Sequence, residues 1–392
     1  LSASFRNFTT DDAVSVAAAC LSRAASMPVA IEDIGVLGEE QRRNHIIRAV
    51  ARSSSGDRRN VVIKATRAAD YDAASPDVVA KGGIAREWAA ASVLDSYDAG
   101  TARFLAGDAA AGVMVFADLG ADARWLASPL LNGSASEAEA ALLAYAIGLG
   151  RLHAATVNCL DAYAAAVREQ YPTARVPRAV GEAWLAGAVG AATSLLGGAL
   201  PEAELALLLQ RMRDPGPWLV LVHGDPCPDN VLLTAQGAAL LDFEFAAPGH
   251  ALLDAAYWRM GFPTCWCAGR VPDAVAEVIE LAYRNTVAPA IPDARDTAAF
   301  HLEYAIAAVV RLFGSLEWHL DAALKGDSTW GRATLRNRIL WHLQATTEAT
   351  QRAQALPALR RVAQAWLTDL ERRWPDVRPL PAYPAFATSG VG

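Results

Sequence analysis

The chain has 392 residues, 53% apolar and 20% charged, with a formal net charge of −7. That length suits two lobes better than one small domain, and the apolar share excludes extended disorder. The acidic balance excludes a nucleic-acid surface, which concentrates Lys and Arg against phosphate.

The first lobe is expected over residues 1–118. Residues 11–26 read as a helix opened by Asp11 or Asp12, whose carboxylates can cap free N–H groups. Three short Val- and Ile-rich strands follow at Val29 to Val36, His45 to Arg52 and Asn60 to Thr66, split by polar turns. A helix from Ile84 to Ser96 and strands at Arg103 to Ala106 and Val113 to Ala117 complete a meander broken by one helix. A linker is expected near Asp118 to Asp122, and a second lobe over 119–392. There the pattern turns helical at Glu137 to Thr156, Val180 to Leu196 and Pro201 to Arg213, with apolar residues three and four apart. A buried strand at Trp218 to Val222 leads to a hairpin, Val231 to Thr234 and Ala238 to Asp242, around Gln236-Gly237. After Leu252 the reading is helical almost to Trp374, and the Pro-containing tail 375–392 is irregular.

Five cysteines, Cys20, Cys159, Cys227, Cys265 and Cys267, are odd in number and scattered. A disulfide framework is therefore not expected, and a reducing, cytoplasmic setting is. Cys265-Trp-Cys267 is too close for an ordinary zinc pair and has no second pair to complete four ligands. No uninterrupted apolar run reaches transmembrane length and no signal pattern opens the chain, so no membrane partner is expected.

The chemistry concentrates in Leu221-Val-His-Gly-Asp-Pro-Cys-Pro-Asp-Asn-Val-Leu-Leu233 and in Leu240-Leu-Asp-Phe-Glu-Phe245. Asp225 and Asn230 lie five residues apart on a loop between strands, and Asp242 is expected to end the hairpin that folds back beside Asn230. An amide oxygen and a carboxylate at one small volume suit Mg²⁺, which completes its sphere with water and phosphate oxygens. Asp225, just outside the metal, is placed to accept a hydroxyl proton as the nucleophile moves in line on a phosphoryl group. In the first lobe, Val61-Val-Ile-Lys64 is an apolar strand carrying one lysine, costly unless paired. Glu87 on the next helix is the expected partner, although Lys64 alone reads equally as an edge-strand lysine.

These residues resemble the aminoglycoside phosphotransferase and choline kinase superfamily, over roughly residues 28–260. His223-Gly224-Asp225 with Asn230 looks like its catalytic loop, and Asp242-Phe243-Glu244 like its metal-binding triplet. The resemblance implies an α+β, bilobal protein-kinase-like fold, with a small antiparallel-sheet lobe for nucleotide and a large, mainly helical lobe for acceptor. It further implies that His223 supports the loop, that Lys64 and Glu87 grip ATP or GTP, and that Asn230 and Asp242 hold Mg²⁺. Ala117 and Leu119 fall where the family's hinge offers backbone groups to a purine, although Val115 to Ala117 reads equally as ordinary core. Gly35-Val-Leu-Gly38 with Glu39 to Arg43 falls at the phosphate-covering loop, but without a full glycine motif it reads equally as a hairpin turn. His153 and Asp254 are expected to be structural.

The expected activity is transfer of the γ-phosphoryl group to a hydroxyl of a small amino-sugar, aminoglycoside-like or related metabolite. A cationic acceptor would suit Tyr257, Trp258, Trp266, Tyr304, Trp318, Trp330 and Trp341 with Glu303, Glu317 and Asp321, by cation–π and charge attraction. Tryptophans at helical spacing read equally as core. A choline- or ethanolamine-type kinase is the alternative within the fold. Outside it stand a two-metal hydrolase using His223, Asp225, Asp242, His250 and Asp254, and a nucleotide-binding pseudoenzyme. Oligomeric state is unknown from sequence.

Overall fold

In the computed structural model, which describes residues 6–37, 43–97, 99–378 and 380–387, the opening helix α1 (Thr10–Ala25) is capped earlier than expected, ahead of Asp11 and Asp12. Thr9 is the N-cap and Asp12 closes a capping box with it, so each side chain satisfies an otherwise orphaned N–H. Ala13, Ala17, Cys20 and Leu21 of this helix pack onto a five-stranded antiparallel sheet. The strands are β1 (Val29–Leu37), β2 (Asn44–Ser53), β3 (Arg58–Thr66), β4 (Phe104–Asp108) and β5 (Val113–Ala117), in spatial order β1-β2-β3-β5-β4, with α2 (Ile84–Leu94) between β3 and β4 in the chain. Period-2 alternation sends Ile47, Ala49 and Ala51 of β2 and Val61, Ile63 and Ala65 of β3 into the core under α1. Lys64 therefore points to the other face. Gly35, expected in a phosphate-covering loop, lies within β1 beside a register shift between Glu32 and Gly35; Gly38 to Arg42 lie outside the described residues.

The chain forms two compact units, and the first takes in more than its N-terminal stretch. It comprises residues 1–123 together with Leu160–Pro177 and Leu241–Ala247. The second contains β6 (Arg124–Trp125), α3 (Ala127–Asn132) and α4 (Ala135–Ala155), after which α5 (Leu160–Gln170) returns to the first unit and packs on α2. The second unit continues with α6 (Glu182–Leu196), α7 (Glu202–Arg213), β7 (Leu219–Val222), β8 (Val231–Thr234) and β9 (Gly237–Leu240). Strands β6, β8 and β9 make a small sheet, and β7 pairs with β10 (Ala247–His250). Four longer helices follow the short α8 (Leu252–Ala255): α9 (Asp273–Val287), α10 (Thr297–Lys325), α11 (Leu335–Arg352) and α12 (Pro357–Arg373).

Between α8 and α9 the expected helix gives way to turns over 257–272, a stretch containing Gly261, Pro263, Gly269 and Pro272. The tail is anchored rather than loose, because Tyr383 is buried and Arg270 bridges to Ala382. By length and composition α10 could cross a membrane, yet 72% of its apolar window is buried inside the protein.

Candidate active site

Within the first unit, Lys64 is the hub of a charged triad. Its Nζ lies 2.5 Å from Glu87 Oε2 and donates to Asp242 Oδ1. The helix start brings Glu87 here: Gly83, in the left-handed region at φ 76°, precedes Ile84 and gives its N–H to the Glu244 carbonyl at 2.9 Å. A side chain at Gly83 would also meet Arg43 Nη2 at 2.8 Å. Arg86, one turn into the helix, donates to the Phe245 carbonyl at 3.3 Å, and Arg43 pairs with Glu244 at 2.8 Å. Residues 242–245 are thus held against the N-terminus of α2.

The two carboxylates on Lys64 are not equivalent. The Glu87 side chain is 5% exposed and that of Asp242 38%. Burial alone would pull the Lys64 pKa down, and Asp242 and Glu87 reverse it, so the ammonium is held above its ordinary value. Burial, reinforced by Asp242 and only partly opposed by Lys64, pushes Glu87 up to about 7. Asp242 does not end a strand as expected. It follows β9 in left-handed backbone at φ 63°, a conformation that Asp tolerates better than most residues and that clusters at functional positions. A hard cation needs reachable carboxylate oxygen, and of this pair only Asp242 meets that requirement.

In the second unit, Asp225 sits on the connection between β7 and β8. Gly224, at φ 84°, makes the turn out of β7, and a 3₁₀ turn over Pro228–Asn230 brings Asn230 back. The Asn230 amide nitrogen donates to the Asp225 carbonyl at 2.9 Å and to Oδ2 at 3.2 Å. That leaves Asn230 Oδ1 as its oxygen for a cation. Thr264 donates to Asp225 Oδ1, and Cys227 Sγ donates to the same oxygen at 3.0 Å. Desolvation raises the Asp225 pKa, while these two donors and His223 oppose the rise. His223 turns inward, accepting at Nδ1 from the Asp225 amide at 3.3 Å.

Asp254 braces the loop from beneath. Fully buried, it accepts from the amides of His223 at 2.6 Å and Gly224 at 3.1 Å, and it meets His153 Nε2 at 3.2 Å and Arg311 at 3.5 Å. Tyr257 donates to the Gly224 carbonyl at 2.9 Å. Thr264, Cys227 and Arg311 were not readable as partners of this loop, since no short-range pattern marks them.

A sequence profile described as the phosphotransferase enzyme family matches residues 75–276, just over half of the chain. The chain belongs to this family. The match covers Glu87, Asp225, Asn230 and Asp242, and begins after Lys64. No curated protein matches the chain. Among solved structures it is similar to a choline/ethanolamine kinase family protein of Mesorhizobium loti, at 17% identity over 86% of this chain and 92% of that one, with a TM-score of 0.41. It is also similar to a choline kinase of Streptococcus pneumoniae (14% identity, 81% and 94% coverage, TM-score 0.44) and one of Cryptosporidium parvum (12%, 87% and 93%, 0.45). With family membership, the protein-kinase-like α+β class expected from sequence is met by an antiparallel-sheet unit and a mainly helical unit.

In this phosphotransferase the remaining candidates divide. The Ala117 amide donates to the Arg103 carbonyl at 2.9 Å, whereas that of Leu119 has no backbone acceptor among the described residues. The Ala117 N–H is therefore already taken by a backbone partner, and the Leu119 N–H is not. Glu303 is consumed by Arg211 at 2.9 Å and His250 at 3.1 Å, and His250 stacks on Trp218. The histidine and acid that a two-metal hydrolase needs, His250 and Asp254, are thus both spent on buried protein partners. Trp258, Tyr304 and Trp341 are core, while Trp266, Trp318 and Trp330 are 43%, 67% and 38% exposed.

Proposed function

We propose that this phosphotransferase moves the γ-phosphoryl group of ATP or GTP to a hydroxyl of a small amino-sugar, aminoglycoside-like or related metabolite, with Asp225 as the base. The observation that carries the reading is the Asp225 carboxylate itself. It is half-buried, positioned by three neutral donors, and set on a backbone that Asp254 fixes through two amides. Oδ1 accepts two donors and Oδ2 one, so Oδ2 retains the lone pair that takes the acceptor's hydroxyl proton. His223 supports the loop and transfers nothing.

The nucleotide is assigned to the first lobe, residues 1–118, where Lys64 carries the charge for its phosphates, Glu87 holds Lys64, and Leu119 follows as a donor to the base. Asp242 and the Asn230 amide oxygen are the proposed Mg²⁺ donors, both hard oxygens. Bound there, Mg²⁺ would neutralise charge on the triphosphate. Exposed indoles at 266, 318 and 330 suit a sugar ring or an ammonium group, and Trp266 lies two residues from Thr264. The same faces suit an amino-alcohol such as choline, the second reading. A reducing, cytoplasmic setting is proposed with this chemistry.

The test is an ADP-release screen against sugars, aminoglycosides, macrolides, choline and other amines. Acceptor-dependent release with one hydroxyl-bearing class supports the reading and names the class. Release that ignores every acceptor, or none with any of them, overturns it.

A further inference from the structure

Three buried thiols and a carboxylate meet beside the Asp225 loop with no part in the proposed transfer chemistry, apart from the donation by Cys227 described above. Cys227 and Asp229 come from that loop, and Cys265 and Cys267 from the turns after α8. The ligand atoms of Cys227, Asp229 and Cys265 all lie within 4.8 Å of one another. Cys265 Sγ stands 3.3 Å from Asp229 Oδ1, and the Cys267 amide points at Cys265 Sγ from 3.3 Å. A backbone N–H aimed at sulfur favours the thiolate, the form that binds metals.

Charge supports the same conclusion. Asp229 makes no ion pair among the described residues, and neither does the fully buried Arg338, whose guanidinium donates to the carbonyls of Pro263 at 3.2 Å and Trp330 at 2.8 Å. An uncompensated buried ion is costly. Two thiolates with the carboxylates of Asp229 and Asp225 would carry four negative charges beside one guanidinium, and a divalent cation offsets two of them.

We propose that Cys227, Cys265 and Asp229 form a site for a thiophilic divalent cation of the zinc type, with water in the fourth position. Two thiolates and a carboxylate select zinc over magnesium, because soft sulfur is a poor ligand for a hard cation. On a tetrahedral ion with sulfur bonds of about 2.3 Å, two thiolates stand roughly 3.8 Å apart. Cys267 Sγ is only 2.7 Å from Cys265 Sγ, so it stays outside the coordination sphere as a donor to the Cys265 thiolate. The 4.8 Å limit on the three ligand atoms lies within roughly 1 Å of the tetrahedral spacing. Binding releases the two thiol protons to solvent, so Cys227 gives up its donation to Asp225 Oδ1, and ties the 263–268 turns to the Asp225 loop, leaving Thr264 as the donor on that oxygen. The paired-cysteine spacing that zinc sites usually show is missing here because the ligands come from segments 36 residues apart.

The site goes beyond the kinase reading and is tested without substrate. The full chain, reduced with a phosphine, is incubated with Zn²⁺ or Co²⁺, desalted, and assayed for bound metal and for thiolate-to-cobalt absorption. About one metal per chain is expected, with retention lowered about tenfold or more in Cys265→Ser and in Asp229→Asn; Cys20→Ser, in the first unit, should match wild type. Should Cys265→Ser fail to fold, the near-isosteric Asp229→Asn still decides. No metal on the reduced wild type, or undiminished metal in both site variants, overturns the proposal. So does a count below five thiols when the unreduced protein is denatured with a chelator present, which would mark the cluster as a disulfide.

Discussion

The two halves of the candidate machinery position a carboxylate in opposite ways. In the first unit, Glu87 and Asp242 are held by one buried ammonium, and the geometry is set by full charges. In the second, Asp225 makes no ion pair among the described residues; amide, hydroxyl and thiol donors hold it, and the charges that matter sit one layer back, on Asp254, His153 and Arg311. An ion pair suits a residue such as Asp242, which as a proposed metal donor must stay charged. Neutral donors suit a residue that must exchange a proton, because they orient it without pinning its protonation state.

Removing the proton acceptor should have the largest effect. Asp225→Asn keeps the shape and is expected to lower turnover about 10²- to 10⁴-fold with nucleotide affinity little changed. Parallel kcat and nucleotide-binding measurements check this, and an equal loss of both would move Asp225 from base to nucleotide ligand. Next comes the hub of the other half. Lys64→Met strands a buried Glu87 and should cost about 3–5 kcal/mol in urea denaturation, besides weakening nucleotide binding. A loss no larger than that of a surface lysine would show that the ion pair does not organise the first unit.

The contrast also marks where sequence reasoning runs out. The strand around Lys64 and the pairing to Glu87 are readable, because a lone lysine in Val-Val-Ile needs an acid and the next helix has Glu87 in its first turn. The Asp225–Asn230 turn is readable for the same local reason. That Asp242 shares Lys64 across 178 residues is not, since only the folding of residues 241–247 into the first unit brings them together. Thr264 and Cys227 are equally silent, as hydroxyls and thiols carry no periodic signal. Glu303 looks like an acceptor anchor in sequence, but its partner Arg211 lies 92 residues earlier on another helix.

Thinning the neutral donors should have a smaller effect. Thr264→Val removes the hydroxyl from Asp225 Oδ1 and is expected to lower kcat about threefold to tenfold, the worth of one hydrogen bond. Because that donor opposes the burial-driven rise of the Asp225 pKa, its loss should also move the acid limb of the kcat/KM profile to higher pH. A limb that stays put while kcat falls would make Thr264 a packing residue.

The smallest effect separates Glu87 from Asp254 by the sign of their pH dependence. Glu87 is raised from 4.5 to about 7 in the folded protein. The fold therefore binds this proton more tightly than the unfolded chain, and its contribution to stability is present below the ordinary carboxylate value and lost as pH rises toward about 7. Asp254 has the opposite sign. Burial disfavours its charge, but His153 and Arg311 outweigh burial and hold it below 3.8, so its contribution is present above that value and lost as pH falls through the lowered one. Asp225 and Asp229, both raised chiefly by burial, add slope of the same sign as Glu87. Glu87→Gln should therefore remove a share of the stability lost between about pH 5 and about pH 7.5 and leave the acid limb untouched. Urea midpoints at both pH values, in both proteins, decide it: an unchanged difference would mean that Lys64 keeps Glu87 ionised throughout, and that the first unit holds three fixed charges with no titrating member.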